Sequence, residues 1–151
     1  MNGSARSATH DQPPNSRPRR RPAELPADLD DQALENRLRI RTDYLGSCVV
    51  VGAAGEIDIA TADRLRIQVI IAVLLAATPP SVVIDLGEVE FCDSTGVGAL
   101  VAIWKAIRAD GGKLVRRPAR RDRLRALLAR TRLDTHITVR DNLPDAITAA
   151  G

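Results

Sequence analysis

Residues 81–98 read SVVIDLGEVEFCDSTGVG and join a strand signal to a helix start. The run from Ser81 to Leu86 is almost wholly apolar, which is typical of a central parallel strand buried on both faces. Asp93, Ser94 and Thr95 are residue types that begin helices. Apolar side chains then follow a helical spacing, and they are Val97, Leu100, Val101, Trp104 and Ile107. Because the pair Gly111-Gly112 ends this pattern, the stretch predicts a strand, a loop and a helix.

Upstream of this stretch, the pattern predicts a hairpin and a helix. Leu38–Thr42 alternates between apolar and polar residues, Leu45-Gly46-Ser47 supplies a turn, and Cys48–Val51 is a short apolar run. After Gly55-Glu56-Ile57-Asp58, Thr61 is expected to cap a helix that ends before Pro79 and Pro80.

Downstream, the alternation of strands and helices continues to the end of the chain. We predict a strand at 113–117, a helix at 120–130, a strand at 136–140 and a last helix that begins at Pro144. Strands that alternate with helices imply right-handed crossovers and a parallel sheet. The expected fold is therefore α/β, a single domain with a mainly parallel mixed sheet, an N-terminal β-hairpin and about four helices.

The N-terminal segment differs from the rest in composition. Residues 1–34 are rich in Pro and Arg and are predicted to be a disordered basic tail, and residues 35–151 are predicted to be the folded domain. The net charge of +3 is carried by residues 1–26, whose five Arg outnumber Asp11 and Glu24. Such an arm either contacts an acidic partner or nucleic acid, or is only a solvated tail, and the sequence leaves both interpretations open.

Several functional classes find little support in the composition. Aromatic residues are only 2% of the chain, which argues against stacking on single-stranded nucleic acid, so no direct nucleic-acid contact is expected. The longest apolar run, Val69–Ala77, is too short to span a membrane, and the N-terminus does not resemble a secretory signal. Cys48 and Cys92 are therefore expected to be reduced thiols in a cytoplasmic protein, with a regulatory disulfide as the alternative.

The chain also has no recognisable catalytic pattern. His10 and His136 have no partner at a catalytic spacing, and phosphate-binding glycine loops and metal-ligand clusters are missing from the sequence. We expect no enzymatic activity, no cofactor and no metal.

The segment Asp93-Ser94-Thr95-Gly96-Val97-Gly98 follows a strand and opens a helix, which is where open α/β sheets place functional loops. Asp93 or Ser94 can accept a hydrogen bond from the first turn, and the free N–H groups there favour an added phosphate. Gly96 and Gly98 remove side chains from one face, so that another protein can approach closely. The alternative is that the segment is only a helix cap with packing glycines.

The wider pattern resembles the STAS domain of bacterial anti-sigma factor antagonists, from about Leu38 to the C-terminus. The resemblance rests on these residues: Gly55-Glu56-Ile57-Asp58, Thr61-Ala62, Val83-Ile84-Asp85-Leu86, Val89, Phe91 and Asp93-Ser94-Thr95-Gly96-Val97-Gly98. One departure is Thr131-Arg132-Leu133, where family members often carry a glycine before the last strand.

The resemblance implies a phosphorylation switch. Ser94 matches the acceptor of an ATP-dependent serine kinase that doubles as the anti-sigma factor, and Thr95 is the reserve acceptor. The partner-binding residues would be Asp58, Asp93, Ser94, Thr95, Gly96 and Gly98. A serine phosphatase would reset the protein, which would control transcription through a sigma factor. The alternative is a STAS scaffold or ligand-binding module without a switch.

Overall fold

The computed structural model describes residues 32–119, 123–130, 132 and 135–151. Most of the predicted tail, residues 1–31, lies outside these ranges, and residues 32–36 are helical. Residues 37–151 form one compact unit, which is described below.

Within the described residues, five strands form a single sheet in the order β1-β2-β3-β4-β5. The strands are β1 (Leu38–Leu45), β2 (Cys48–Ile57), β3 (Ser81–Cys92), β4 (Lys113–Arg117) and β5 (Thr138–Val139). The helices that connect and follow them are α1 (Ala62–Leu74), α2 (Ser94–Ala109), α3 (Arg123–Ala129) and α4 (Leu143–Ala150). The predicted fold class is confirmed, including the antiparallel hairpin β1–β2 beside three parallel pairings.

Strand β3 lies in the middle of the sheet and is buried on both faces, as its apolar run predicts. Val82 and Ile84 point into the larger core, which α1 and α2 cover, whereas Val83 points into a smaller core against Ala146 and Ala150 of α4. Val82, Val83 and Ile84 are all fully inaccessible to solvent. β3 is thus anchored in both cores, and the loop that follows it projects from the carboxyl edge of the sheet.

Several boundaries differ from the predictions. β3 continues to Cys92 rather than ending near Leu86, because its second half still pairs with β2 across two irregularities in register. β5 covers only Thr138–Val139, and the first residues of the predicted helix 120–130 lie outside the described ranges. The sequence Thr131-Arg132-Leu133 has no glycine where family members often carry one. Arg132 itself adopts the left-handed region there, with a φ of 60°.

None of the helices in the described ranges is long and apolar enough to cross a membrane.

Candidate functional site

The loop between β3 and α2 is organised by Asp93. Its backbone is extended (φ −100°, ψ −171°), and its Oδ1 accepts a hydrogen bond from the Gly96 N–H at 3.0 Å. Its carbonyl oxygen accepts the first helical hydrogen bond from the Val97 N–H at 3.1 Å. Of the two predicted caps, Asp93 performs this role, which stabilises a helix by about 1 kcal/mol.

Because the Asp93 carboxylate makes the capping hydrogen bond, the Ser94 hydroxyl is not needed as the helix cap. Ser94 is the first residue of α2 and is exposed, as is Thr95. The Ser94 hydroxyl makes no hydrogen bond to any described residue. It therefore stands at the positive end of a 16-residue helix, beside N–H groups that have no intrahelical partner.

The two glycines of the segment have different roles. Gly96 is buried, and a Cβ atom there would lie 2.5 Å from Cys92 Sγ and 2.8 Å from Ile57 Cγ2. Gly98 is exposed, and a Cβ atom there would meet nothing within 4 Å. The prediction that both glycines open a face to a partner needs correction for Gly96, whose missing side chain lets α2 pack against the sheet.

The neighbouring strand β2 brings Asp58 to the same edge of the sheet. Ile57 pairs with Cys92 in the parallel register, and the Asp93 N–H donates to the Ile57 carbonyl oxygen at 3.2 Å. Asp58 directly follows Ile57, as Asp93 follows Cys92. The two predicted acidic residues therefore lie at the ends of adjacent strands.

Asp58 is held in a tight loop by Thr61. The Thr61 hydroxyl donates to the Glu56 carbonyl oxygen at 2.8 Å and accepts from the Asp58 N–H at 2.9 Å. Thr61 occupies the cap position of α1, but its side chain makes no capping hydrogen bond. The prediction of a side-chain cap is thus wrong in detail, because the hydroxyl is used to fix the preceding loop.

Arg37 is a member of this site that the sequence analysis missed. Its Nη2 bonds Glu56 Oε1 at 3.1 Å and forms an ion pair with Asp58 Oδ2. Its approach is possible because Gly55 (φ 117°) leaves room for the Arg37 carbonyl oxygen. The only sequence signal is an arginine just before a strand, which is too common to identify a site.

The charge on Asp58 reflects opposing effects. Partial burial acts to raise the pKa of Asp58, but the Ala60 N–H, the Arg37 guanidinium and the Thr61 N–H together outweigh it and lower the pKa below its ordinary value. Asp58 is therefore an oriented, ionised carboxylate at neutral pH.

Replacing Arg37 with alanine is expected to raise the pKa of Asp58. A carboxylate with a lowered pKa stabilises the folded state above its unfolded pKa of about 3.9, and this stability is lost as the pH falls through the folded value. Arg37→Ala should therefore be less stable than wild type at neutral pH, with the difference vanishing in acid. Carboxyl NMR titration and urea unfolding at several pH values measure both effects.

The control is Arg41→Ala, because Arg41 is 76% exposed and lies beside Asp43 instead. An unchanged Asp58 titration in Arg37→Ala would contradict the account.

Two exposed apolar side chains flank the acidic residues. Ile59 is 81% exposed and follows Asp58, and Phe91 is 47% exposed two residues before Asp93. Phe91 is one of the residues that carry the family resemblance, whereas no pattern in the sequence singles out Ile59. Ile59 and Phe91 thus add exposed apolar groups close in the chain to the two carboxylates.

The two cysteines are free thiols in different environments. Cys48 lies in the smaller core on β2, and Cys92 lies beneath Gly96. Burial, and then the nearby Asp93 carboxylate, raise the pKa of Cys92 to about 11, so this thiol stays protonated at neutral pH. Within the described part of the chain, no group of three or more His, Cys, Asp or Glu residues is placed to hold a metal ion.

Known proteins resemble this chain in sequence and in fold. The family model described as "Mlab, STAS domain" matches residues 40–143. The anti-sigma-B factor antagonist of Bacillus subtilis (strain 168) is 38% identical over 66 residues, which cover 44% of this chain and 58% of that protein. The anti-sigma F factor antagonist of Paenibacillus polymyxa is 29% identical over 77 residues, which cover 51% and 65%. The chain thus spans less than two thirds of either curated relative.

A solved structure extends the match over nearly a whole relative. The crystal structure of an anti-sigma factor antagonist from Mycobacterium paratuberculosis is 30% identical, with a TM-score of 0.62. The alignment covers 75% of this chain and 93% of that one. The family model covers well over half of the chain and includes β2, β3, α2 and the Asp93-Ser94 loop. The chain belongs to the STAS domain family.

Proposed function

We propose that this protein is an anti-sigma factor antagonist controlled by phosphorylation of Ser94. In its unphosphorylated form it binds an anti-sigma factor that is also a serine kinase, and a sigma factor is freed. Phosphorylation breaks the complex, and a serine phosphatase restores binding. The names of the relatives from Bacillus, Paenibacillus and Mycobacterium support the partner class. The main structural support is the exposed Ser94 hydroxyl, which Asp93 leaves free by capping α2.

The first turn of α2 is a favourable place for a phosphate. The N–H groups of the turn and the helix dipole stabilise negative charge there. A phosphate on the exposed Ser94 also displaces no core side chain. The phosphorylated protein is therefore expected to stay folded, and the modification changes the surface alone.

The same phosphate is unfavourable when the surface is covered by a partner. It carries about −1.5 to −2 charges at neutral pH, and it would join the carboxylate of Asp93 next to it in the chain. Contact with a partner removes water from these groups and strengthens their repulsion. Asp58 is partly neutralised by Arg37, so it can serve as an oriented partner contact in the unphosphorylated form.

The remaining predicted site residues fit this proposal to different degrees. Thr95 is exposed and is the reserve acceptor, and Gly98 leaves open space for a partner's backbone. Gly96 contributes through the packing of α2. The proposed role is binding without catalysis, in the cytoplasm, through residues 35–151 as the STAS domain.

The acceptor is identified by phosphorylation of single variants. The full chain, Ser94→Ala and Thr95→Ala are incubated with ATP and the anti-sigma factor kinases of the same cell, and the products are mapped by mass spectrometry. We expect one phosphate on Ser94 in wild type and in Thr95→Ala, and none in Ser94→Ala. If every kinase leaves Ser94 and Thr95 unmodified, the switch is excluded and a STAS scaffold without phosphorylation becomes the better interpretation.

A further inference from the structure

A cavity of about 310 Å³ lies beside the last turns of α2, where β4 and β5 begin. Ile107 and Leu114 give it a buried apolar lining, and Trp104, Arg108 and Lys113 add an aromatic ring and two cations. Ligand pockets of about 300 to 1,000 Å³ usually combine an apolar lining with a few charged groups. This cavity has that composition at the small end of the range, so it suits a compact molecule.

Trp104 holds the Arg108 guanidinium in place. The Arg108 Cζ atom lies 5.2 Å from the centre of the Trp104 ring, which is a cation–π contact. The His136 ring lies 5.8 Å from the same ring, tilted by 32°. A guanidinium that contacts a ring keeps its N–H groups, which lie in its own plane, for a planar pair of oxyanion oxygens.

The charge of the cavity is positive. The lining residues that the structure describes include Arg108 and Lys113 but no carboxylate. Asp110 stands between the two cations in the chain, but it is not part of the lining. Neither cation forms an ion pair with a carboxylate of the described residues. An anion that enters the cavity therefore meets two positive charges that no such carboxylate neutralises.

The turn after α2 brings both cations to this cavity. Gly111 (φ 74°) and Gly112 connect the helix to β4, and their N–H groups donate to the carbonyl oxygens of Arg108 and Ile107 at 2.9 Å each. These bonds engage carbonyl groups at the negative end of the helix, whose dipole is equivalent to about half a charge. The full charges of Arg108 and Lys113 outweigh it, so the cavity attracts anions.

We propose that this cavity binds a phosphate monoester that carries a compact organic group. The phosphate accepts hydrogen bonds from the Arg108 guanidinium and the Lys113 ammonium, whose two positive charges match its charge of about −1.5 to −2 at neutral pH. The organic group lies against Ile107 and Leu114, where burial of apolar surface adds to the affinity. A carboxylate has a single charge and is therefore the weaker ligand.

The cavity is separate from the Ser94 surface. Arg108 follows Ser94 by fourteen residues in the same helix, which corresponds to about 21 Å along its axis. Lys113 begins β4 at the amino edge of the parallel sheet, whereas Asp93 follows the carboxyl end of β3. A ligand in the cavity thus leaves the Ser94 hydroxyl accessible, and the inference does not depend on the proposed function.

Fluorescence of the full chain tests the cavity directly, because Trp104 is its single tryptophan. At constant ionic strength, phenyl phosphate should change the emission saturably, with a dissociation constant on the order of 1 mM. The NMR resonance of the Trp104 indole N–H should shift over the same range of concentration. Inorganic phosphate lacks the organic group and benzoate lacks the second charge, so both should bind several-fold more weakly. Benzyl alcohol, which has no charge, should not bind measurably.

Two variants test the cations. Arg108→Met and Lys113→Met keep an apolar stem without the charge, and each should weaken phenyl phosphate binding about tenfold. The matched control is Lys105→Met, which should bind like wild type, because Lys105 is exposed on the same helix but is not part of the lining. Phosphorylation of Ser94 should be the same in Arg108→Met and wild type, so this proposal and the proposed function can fail separately.

Three results would overturn the proposal. The first is that neither the fluorescence nor the indole resonance saturates with phenyl phosphate up to about 10 mM. The second is unchanged affinity in either Arg108→Met or Lys113→Met. The third is binding of benzoate, inorganic phosphate or benzyl alcohol as tight as that of phenyl phosphate, which would contradict the ligand class.

Discussion

Ser94→Asp is expected to weaken binding to the anti-sigma factor by at least about 100-fold. The substitution puts a permanent negative charge beside Asp93, in a surface from which the partner removes water. An uncompensated charge in a desolvated contact costs about 3 kcal/mol or more, which corresponds to that loss of affinity. Titration calorimetry with the purified anti-sigma factor measures the effect.

The matched control for this variant is Ser94→Asn, which has a similar shape and no charge. It should bind within a few-fold of wild type. Both variants should unfold within a few degrees of wild type, because Asp93 still caps α2 and the first turn tolerates an acidic residue. Equal affinities of Ser94→Asp and Ser94→Asn would show that charge at this position does not control binding.

Gly96→Ala is expected to lower the free energy of unfolding by about 2 kcal/mol. The added Cβ atom would lie 2.5 Å from Cys92 Sγ, 2.8 Å from Ile57 Cγ2 and 3.2 Å from the Ile57 carbonyl oxygen. These atoms belong to the buried junction of β2, β3 and α2, so relief requires moving the helix or the strand. Overpacking of this kind costs about 1 to 3 kcal/mol, more than the helix propensity gained.

The same substitution two residues later provides the control. A Cβ atom at Gly98 meets open space, so Gly98→Ala should be neutral or stabilise the protein by up to about 1 kcal/mol through helix propensity. Urea unfolding of the two variants measures the contrast within one helix. If Gly96→Ala is as stable as Gly98→Ala, the packing role of Gly96 is wrong.

The fold was predictable because its local signals agree with one another. The apolar run at Val82-Val83-Ile84 identifies a strand buried on both faces, and the turn at Gly46 joins an alternating run to an apolar run in a hairpin. Boundaries were less accurate where pairing decides them. The second half of β3 alternates polar and apolar residues from Glu88 to Phe91, but Gly87 separates it from the apolar run, so only the pairing with β2 shows that the strand is continuous.

Within the candidate site, the cap at the start of α2 was predictable and its surroundings were less so. Asp93 and Ser94 stand together in the sequence, so their roles at the helix start follow from local chemistry. Arg37 reaches Asp58 only after the hairpin has formed, 21 residues apart in the chain. The separate roles of Gly96 and Gly98 depend on which side of α2 faces the sheet.

Helix α1 shows a further limit of sequence reasoning. Its residues from Ile67 to Leu75 are apolar on nearly every side, so periodicity cannot distinguish the face that packs on the sheet from the face that meets solvent. The exposed side, with Ile67, Ile71, Leu74 and Leu75, is recognised only once Leu65 and Val69 are seen in the core.

The most direct test of the switch compares one protein in two chemical states. The full chain is phosphorylated at Ser94, the modification is verified by mass spectrometry, and its affinity for the anti-sigma factor is measured by calorimetry beside that of the unmodified protein. We predict that the unmodified protein binds at least about 100-fold more tightly, as expected for a doubly charged group in a desolvated contact, and that treatment with a phosphatase restores binding. Equal affinity of the phosphorylated and unmodified forms would contradict the proposed function.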